Sequence, residues 1–263
     1  MKGKIYIPEQ PHEIVSEIWE IIADADEPIL SHFIPPVAVP EMVFFIDNCY
    51  QVKNINVAAG FIKGQYTTSQ RIDFHPHYHL FGIRLHPYGL KQVFDMDASQ
   101  LTDRIIDAAE HPLTAGITNL IKENPVVDLA LIQQLLLLLE SQPLHPVSWE
   151  TISFLKLLQG NSKGRITDII KNTGIGIRTL QRNFTREVGL TPKKYLRIIR
   201  MNDIERQLQE HPNWFTLITH FELTDQSHLI KEFKSFRQHT PADLLKKRLT
   251  ITDQLPDPER FDI

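Results

Sequence analysis

A single cysteine, Cys49, stands in a chain of 263 residues. One thiol cannot close an internal disulfide, so apolar cores have to hold the fold, and a reduced, cytoplasmic protein is expected. Long apolar runs are missing as well. Leu135–Leu139 falls far short of the roughly 18 residues a membrane span needs. Met1-Lys2-Gly3-Lys4 leads into a Pro/Glu segment with no apolar stretch, so no secretory signal is expected. G-x-S-x-G, a phosphate-cradling glycine loop, Cys/His zinc spacing and H-E-x-x-H are all absent. Nothing in the chain asks for catalysis or for a resident cofactor, and neither is expected.

What the chain does have is apolar mass and unevenly placed charge. Apolar residues make up 42% of it, enough for real cores, and its length favours two domains. Residues 150–250 carry 18 Lys+Arg against 10 Asp+Glu, a net of +8; the remainder carries 10 against 22, a net of −12. The formal total of −4 therefore conceals a basic C-terminal part, suited to phosphate, joined to an acidic N-terminal one.

In residues 12–23, Ile14, Val15, Ile18, Trp19 and Ile22 recur at helical spacing and predict an amphipathic helix. Short runs rich in β-branched and aromatic residues follow at Ile29–Ile34, Met42–Asp47, Ile55–Ile62, Tyr66–Asp73 and Tyr78–Leu85. Pro35-Pro36, Pro40, Gly64 and Pro87 punctuate them. With no βαβ alternation, they predict an antiparallel sheet or small barrel. Helical patterns return at Leu101–Ala109, Thr114–Lys122 and Val126–Glu140. The last has Leu129, Ile132, Leu136 and Leu139 on one stripe and Leu131, Leu135 and Leu138 on a second. Such a helix is buried on two sides, either within its own domain or at a homodimer seam. Ser141–Pro146 breaks the pattern. The expected division is an N-terminal domain over 1–145 (helical part about 98–141), a C-terminal domain over 146–250 and an acidic tail over 251–263.

Residues 146–250 read as a series of helices. Ser148 can cap one that ends at Leu158, and Thr167 can cap one bearing Ile169 and Ile170 that stops at Gly174. Residues 177–188 place Leu180, Phe184 and Val188 on one face, with Gly189 as the stop. Thr191-Pro192 starts a long helix to about Gln209, since proline is well tolerated at the first helical position. A repeat then emerges. Leu180, Phe184, Thr191 and Pro192 recur 49 residues later as Leu229, Phe233, Thr240 and Pro241. The frame L-x-x-x-F-x6-T-P thus occurs twice, and the apolar segment Trp214–Phe221 precedes the second copy as ITDII precedes the first. Two helix-turn-helix units joined by a helix about 27 Å long suit successive major-groove faces.

These two units, RTLQRNF followed by GLTP and DQSHLIKEFK followed by TP, resemble the AraC/XylS family of bacterial transcription regulators. The N-terminal part, through Trp19 and GIRLHPYG (Gly82–Gly89), is similar to a sensor-like domain found in a subset of that family. The fold class is therefore expected to be α+β. A mixed N-terminal α/β domain would precede an all-α domain of two helix-turn-helix units. The resemblance implies double-stranded DNA as partner, with a small-molecule effector, a homodimer and, for an activator, RNA polymerase; no membrane is involved.

Opposite the apolar face of residues 177–188 lie Arg178, Gln181, Arg182 and Thr185. Arg suits guanine O6/N7 and Gln suits adenine N6/N7. Gln226, Ser227, His228 and Lys231 take that role on the second recognition helix, residues 225–237, which is expected to bury Leu229, Phe233 and Phe236. Arg165, Arg186, Lys193, Lys194, Arg197 and Lys234 are candidate phosphate contacts. The second unit departs from the family's turn at Ile218 and Glu222, which suggests weaker or looser binding by that unit.

Two further readings compete with this one. His75, His77 and His79 alternate on one strand face, as metal ligands of a cupin-like enzyme or sensor would. No carboxylate follows between Leu80 and Asp95, however, and Pro76 interrupts pairing. The other is an interaction protein whose DNA-binding domain has decayed at Glu222. The tail reads as a solvated arm, with docking on the basic domain as the alternative.

Overall fold

The computed structural model describes residues 2–23, 30–46, 50–52, 55–57, 59–74, 78–159, 164–210, 219, 221, 226–246 and 259–263. In chain order, the first strands are β1 (Lys2–Ile7), β2 (Val15–Ala23), β3 (Leu30–Ile34), β4 (Glu41–Phe45) and β5 (Tyr50–Val52). Next come β6 (Ile55–Val57), β7 (Gly60–Lys63), β8 (Gln70–Phe74) and β9 (Tyr78–Leu85). Helix α1 (Gly89–Phe94), β10 (Ile105–Asp107), α2 (Pro112–Glu123) and α3 (Leu129–Glu140) complete the N-terminal part. The principal sheet has the strand order β10-β7-β4-β9-β2-β1-β11, its last member being β11 (Glu259–Asp262). β3 pairs with β8, and β5 with β6, as two antiparallel pairs.

Successive strand side chains point to opposite faces, and the central strands bury both of theirs. Met42, Phe44, Ile62, Phe81, Ile83 and Leu85 meet the apolar sides of α1, α2 and α3 in one core. Val43, Phe45, Phe61, Tyr78 and Leu80 form a second core with Ile21, Ala23 and Tyr66. Such two-sided burial explains why these runs read as continuously apolar.

Two elements correct their helical patterns. Residues 15–23 are strand β2, hydrogen-bonded between β1 and β9. β-Branched Val15, Ile18, Ile21 and Ile22 suit a strand. A bulge between Val15 and Glu17 adds the residue that brings Val15 and Ile18 into the same core, which imitates helical spacing. In Leu101–Ala109 only isolated 3₁₀ turns flank β10, whose Ile105 and Ile106 face opposite cores as strand residues do. The run Tyr66–Asp73 becomes strand only at Gln70; residues 64–69 form a loop with Gln65, Tyr66, Thr67 and Ser69 buried. Trp19 and Gly82, quoted above for the sensor-like resemblance, are cross-strand partners. A Cβ on Gly82 would lie 2.0 Å from the indole, so glycine gives the ring its seat.

The tail is also corrected. Its described part is β11, parallel to β1 and in register from Lys4↔Glu259 to Ile7↔Asp262. Phe261 stacks on Tyr6 at 5.2 Å, Ile263 N–H donates to Ile7 O at 2.9 Å, and Glu9 N–H donates to Ile263 O at 2.8 Å. An unpaired β1 edge and the alternating Phe261 and Ile263 account for it: strand addition satisfies the backbone and half-buries the apolar pair against the core.

The C-terminal part comprises α4 (Trp149–Leu158), α5 (Ile166–Ile169), α6 (Ile177–Val188) and α7 (Pro192–Glu210), then α8 (Gln226–Arg237) and α9 (Pro241–Lys246). Arg165, rather than Thr167, stands at the start of α5. One core runs through both units, from Phe154, Leu180, Phe184 and Val188 past Ile198, Met201 and Ile204 of α7 to Leu229, Phe233 and Phe236.

Candidate nucleic-acid interface

Helix α6 is positioned by its buried side. Phe184 meets Phe154 edge-to-face at 5.4 Å and Tyr195 at 5.2 Å, tying α6 to α4 and α7. Buried Glu187 accepts from Ser148 N–H at 3.2 Å and Ser148 Oγ at 2.7 Å, so α6 supplies the cap of α4 that the serine alone does not make. Against this fixed face, Arg178, Gln181, Arg182 and Arg186 are exposed. Thr185 is half-buried and spends its hydroxyl proton on Gln181 O at 2.7 Å. Arg165, Lys193 and Lys194 are exposed, and Thr191 Oγ1 accepts from Lys194 N–H at 3.3 Å to begin α7.

The second unit repeats the plan. Gln226, Ser227, Lys231 and Lys234 are exposed on α8, while Leu229, Phe233 and Phe236 are buried. Thr240 and Asp243 cap α9 reciprocally, by Asp243 N–H to Thr240 Oγ1 at 3.1 Å and Thr240 N–H to Asp243 Oδ2 at 3.0 Å. The His228 side chain, Ile218, Glu222 and nearly all of Trp214–Phe221 lie outside the described residues. Arg197, a candidate phosphate contact, pairs with Glu232 at 3.0 Å and lies 4.9 Å from the Phe236 ring. Buried Arg237 pairs with Glu205 and donates to Asn202 Oδ1 at 2.6 Å, which fastens α8 to α7.

The sheet domain meets both units, a relation the sequence pattern gives no sign of. Ala38 is buried in the helical core and Tyr88 packs against it. Thr102 Oγ1 donates to Gly189 O at 2.5 Å, at the end of α6. Ser69 N–H donates to Phe236 O, and Gln238 Nε2 donates to Ser69 O, each at 2.8 Å, at the end of α8.

Charge is also buried inside the sheet domain. Glu41 pairs with Lys63 and with Arg84 at 2.5 Å, and Arg84 pairs with Glu17 at 2.5 Å. Burial alone would raise the Glu41 carboxyl, but the two cations override it and hold it at about 2. His75 and His77 lie outside the described residues. His79 Nε2 is 2.7 Å from Glu20 Oε1, and no metal-competent cluster occurs among the described residues.

Residues 6–107 match a domain family of unknown function (DUF6597), and residues 169–247 match the helix-turn-helix domain family. No curated protein matches the chain. Among solved structures, ToxT from Vibrio cholerae is similar over 94% of this chain and 98% of its own, with a TM-score of 0.46 and 10% identity. ToxT bound to (E)-4-(8-methylnaphthalen-1-yl)but-3-enoic acid is similar over 93% and 98%, with a TM-score of 0.44 and 9% identity.

Proposed function

From an AraC-type helix-turn-helix domain carried behind a DUF6597 domain, we infer a DNA-binding transcription regulator that reads sequence chiefly through α6. One observation carries this reading: Leu180, Phe184 and Val188 lock α6 into the core and leave Arg178, Gln181 and Arg182 exposed on the opposite side. Recognition helices present their N-terminal residues to base edges, and these three lie in the first half of α6. α8 supplies Gln226, Ser227, His228 and Lys231 for a second half-site. Arg165, Arg186, Lys193, Lys194 and Lys234 hold phosphates and set register; Arg197, engaged with Glu232, contributes least.

Selection from a random duplex library with the full chain tests this. A defined sequence should be enriched, and Arg182→Ala should lose about 1–3 kcal/mol on it and relax preference at one base pair. Salt-sensitive binding without sequence preference would support the decayed-domain reading instead.

The N-terminal domain is the regulatory part, since it touches the far ends of both recognition helices. The family resemblance assigns it a small-molecule effector, which a thermal-shift screen of metabolites would identify. For a homodimer, the available apolar surface is Val126, Leu129 and Leu137, exposed on the side of α3 away from its buried Leu131, Ile132, Leu135 and Leu139.

A further inference from the structure

The sheet domain holds the two reading units at equivalent points of the repeat. Gly189 and Gln238 are 49 residues apart, the same offset as every other repeat pair. Both end their helices in the left-handed region, at φ 88° and 62°. Gly189 N–H donates to Thr185 O at 2.9 Å and Gln238 N–H donates to Lys234 O at 3.0 Å, again a pair of repeat-equivalent bonds. Thr102 grips the first terminus and Ser69 the second. Gly189 is seated so closely that an added Cβ would stand 2.7 Å from Ala98 O.

The two gripping loops are themselves fastened together. Asp103 accepts from Thr67 N–H and Thr67 Oγ1, each at 2.7 Å, through its two carboxylate oxygens. Asp103 N–H donates to Gln65 O at 2.9 Å, and Gly64 N–H donates to Arg104 O at 3.2 Å. Residues 64–69 and 98–104 therefore move as one piece. α7 joins the two units on one side and this piece joins them on the other, closing a frame. An open hinge between the readers would leave their spacing free; a closed frame does not.

Building on the DNA-reading role above, we propose that the loops 64–69 and 98–104, fastened by Asp103 and Thr67, clamp both recognition helices and fix the half-site spacing the chain reads. Asp103 and Thr67 are positioning residues: they reach DNA only through α6 and α8. A rigid link makes the second half-site an intramolecular event at high effective concentration, and it penalises any spacing that does not match. Loosening the link lowers the first and relaxes the second.

The test uses the full chain, the duplex enriched in the selection above, the same duplex with two base pairs inserted between its halves, and a duplex carrying only one half. Fluorescence anisotropy measures affinity for each. Asp103→Ala should lose about tenfold on the parent duplex, equivalent to about 1.4 kcal/mol, and change less than about twofold on the single half. Its discrimination against the insertion should largely vanish. If Asp103→Ala unfolds, as circular dichroism would show, the milder pair Thr102→Val/Gln238→Ala takes its place. Unchanged discrimination in a folded variant overturns the clamp. Failure of the wild-type chain to enrich any duplex overturns the DNA-reading role instead, so the two failures are separable.

Discussion

Glu41 shows how one buried residue ties the stability of the sheet domain to pH. Its folded pKa, about 2, lies below the unfolded value of 4.5, so the unfolded chain takes up the proton first as pH falls. The stability it contributes is complete above the unfolded value and is lost as pH descends toward the folded one. Glu41→Gln should therefore flatten the decline of urea stability over that window. At neutral pH it should cost about 3–5 kcal/mol, because Lys63 is left buried without its counter-charge. Gly189 is the matching case at the domain interface. Its φ of 88° and the 2.7 Å approach of Ala98 O act together against a side chain. Gly189→Ala should lose at least the ~1–2 kcal/mol of a left-handed residue, read from urea unfolding. Among the candidate readers, Lys194 is exposed at the start of α7, and Lys194→Ala should lower the salt slope of DNA binding by about one unit.

At the scale of elements, β11 and α3 overturn or refine what their residues suggest. β11 returns from the C-terminal part to complete the sheet edge beside β1, so the two domains are joined by more than the segment near residue 146. A chain ending at residue 258 should lose roughly 1–2 kcal/mol, most of it from half-buried Phe261, with faster amide exchange across β1. The two apolar stripes of α3 sort differently. Leu131, Ile132, Leu135 and Leu139 are core, Leu136 packs against them, and Leu137 is 64% exposed. A homodimer seam on this helix is therefore tested at Leu137: Leu137→Glu should give a folded monomer by light scattering, whereas Leu136→Glu would disturb the core.

In the whole molecule, an acidic sheet domain carries a basic pair of readers and holds them at their C-terminal ends. Arg178, Gln181 and Arg182 of α6 and Gln226, Ser227 and Lys231 of α8 stay exposed away from that grip, and on the proposed function they meet DNA while the acidic charge of the sheet domain repels phosphate. Any event that repacks the loops at 64–69 and 98–104 reaches both readers together, which gives an N-terminal signal a physical route to DNA.

Much of the C-terminal part was legible because its signals are local. Helix period, the glycine stop at Gly189 and the Thr-Pro starts all lie within a few residues of what they specify, and the 49-residue repeat doubles the apolar frame and the Thr-Pro starts. Gly174 is no such stop, since α5 already ends at Ile169. Base-facing candidates followed from the same helical wheel. In the sheet domain the signals conflict. A bulge made β2 imitate a helix, and two-sided burial hid the alternation of β4 and β9. Ser69, Thr102 and Asp103 were beyond reach for a different reason. Their partners are distant in the chain, up to 169 residues away for Ser69 and Gln238, and a polar loop residue carries no mark of the carbonyl it will meet. Sequence alone thus determined that the helical frame occurs twice and which side of α6 and α8 is apolar. How far apart those faces stand was decided only when the sheet domain closed against both of them, because that spacing is a property of long-range contacts and not of any local stretch of chain.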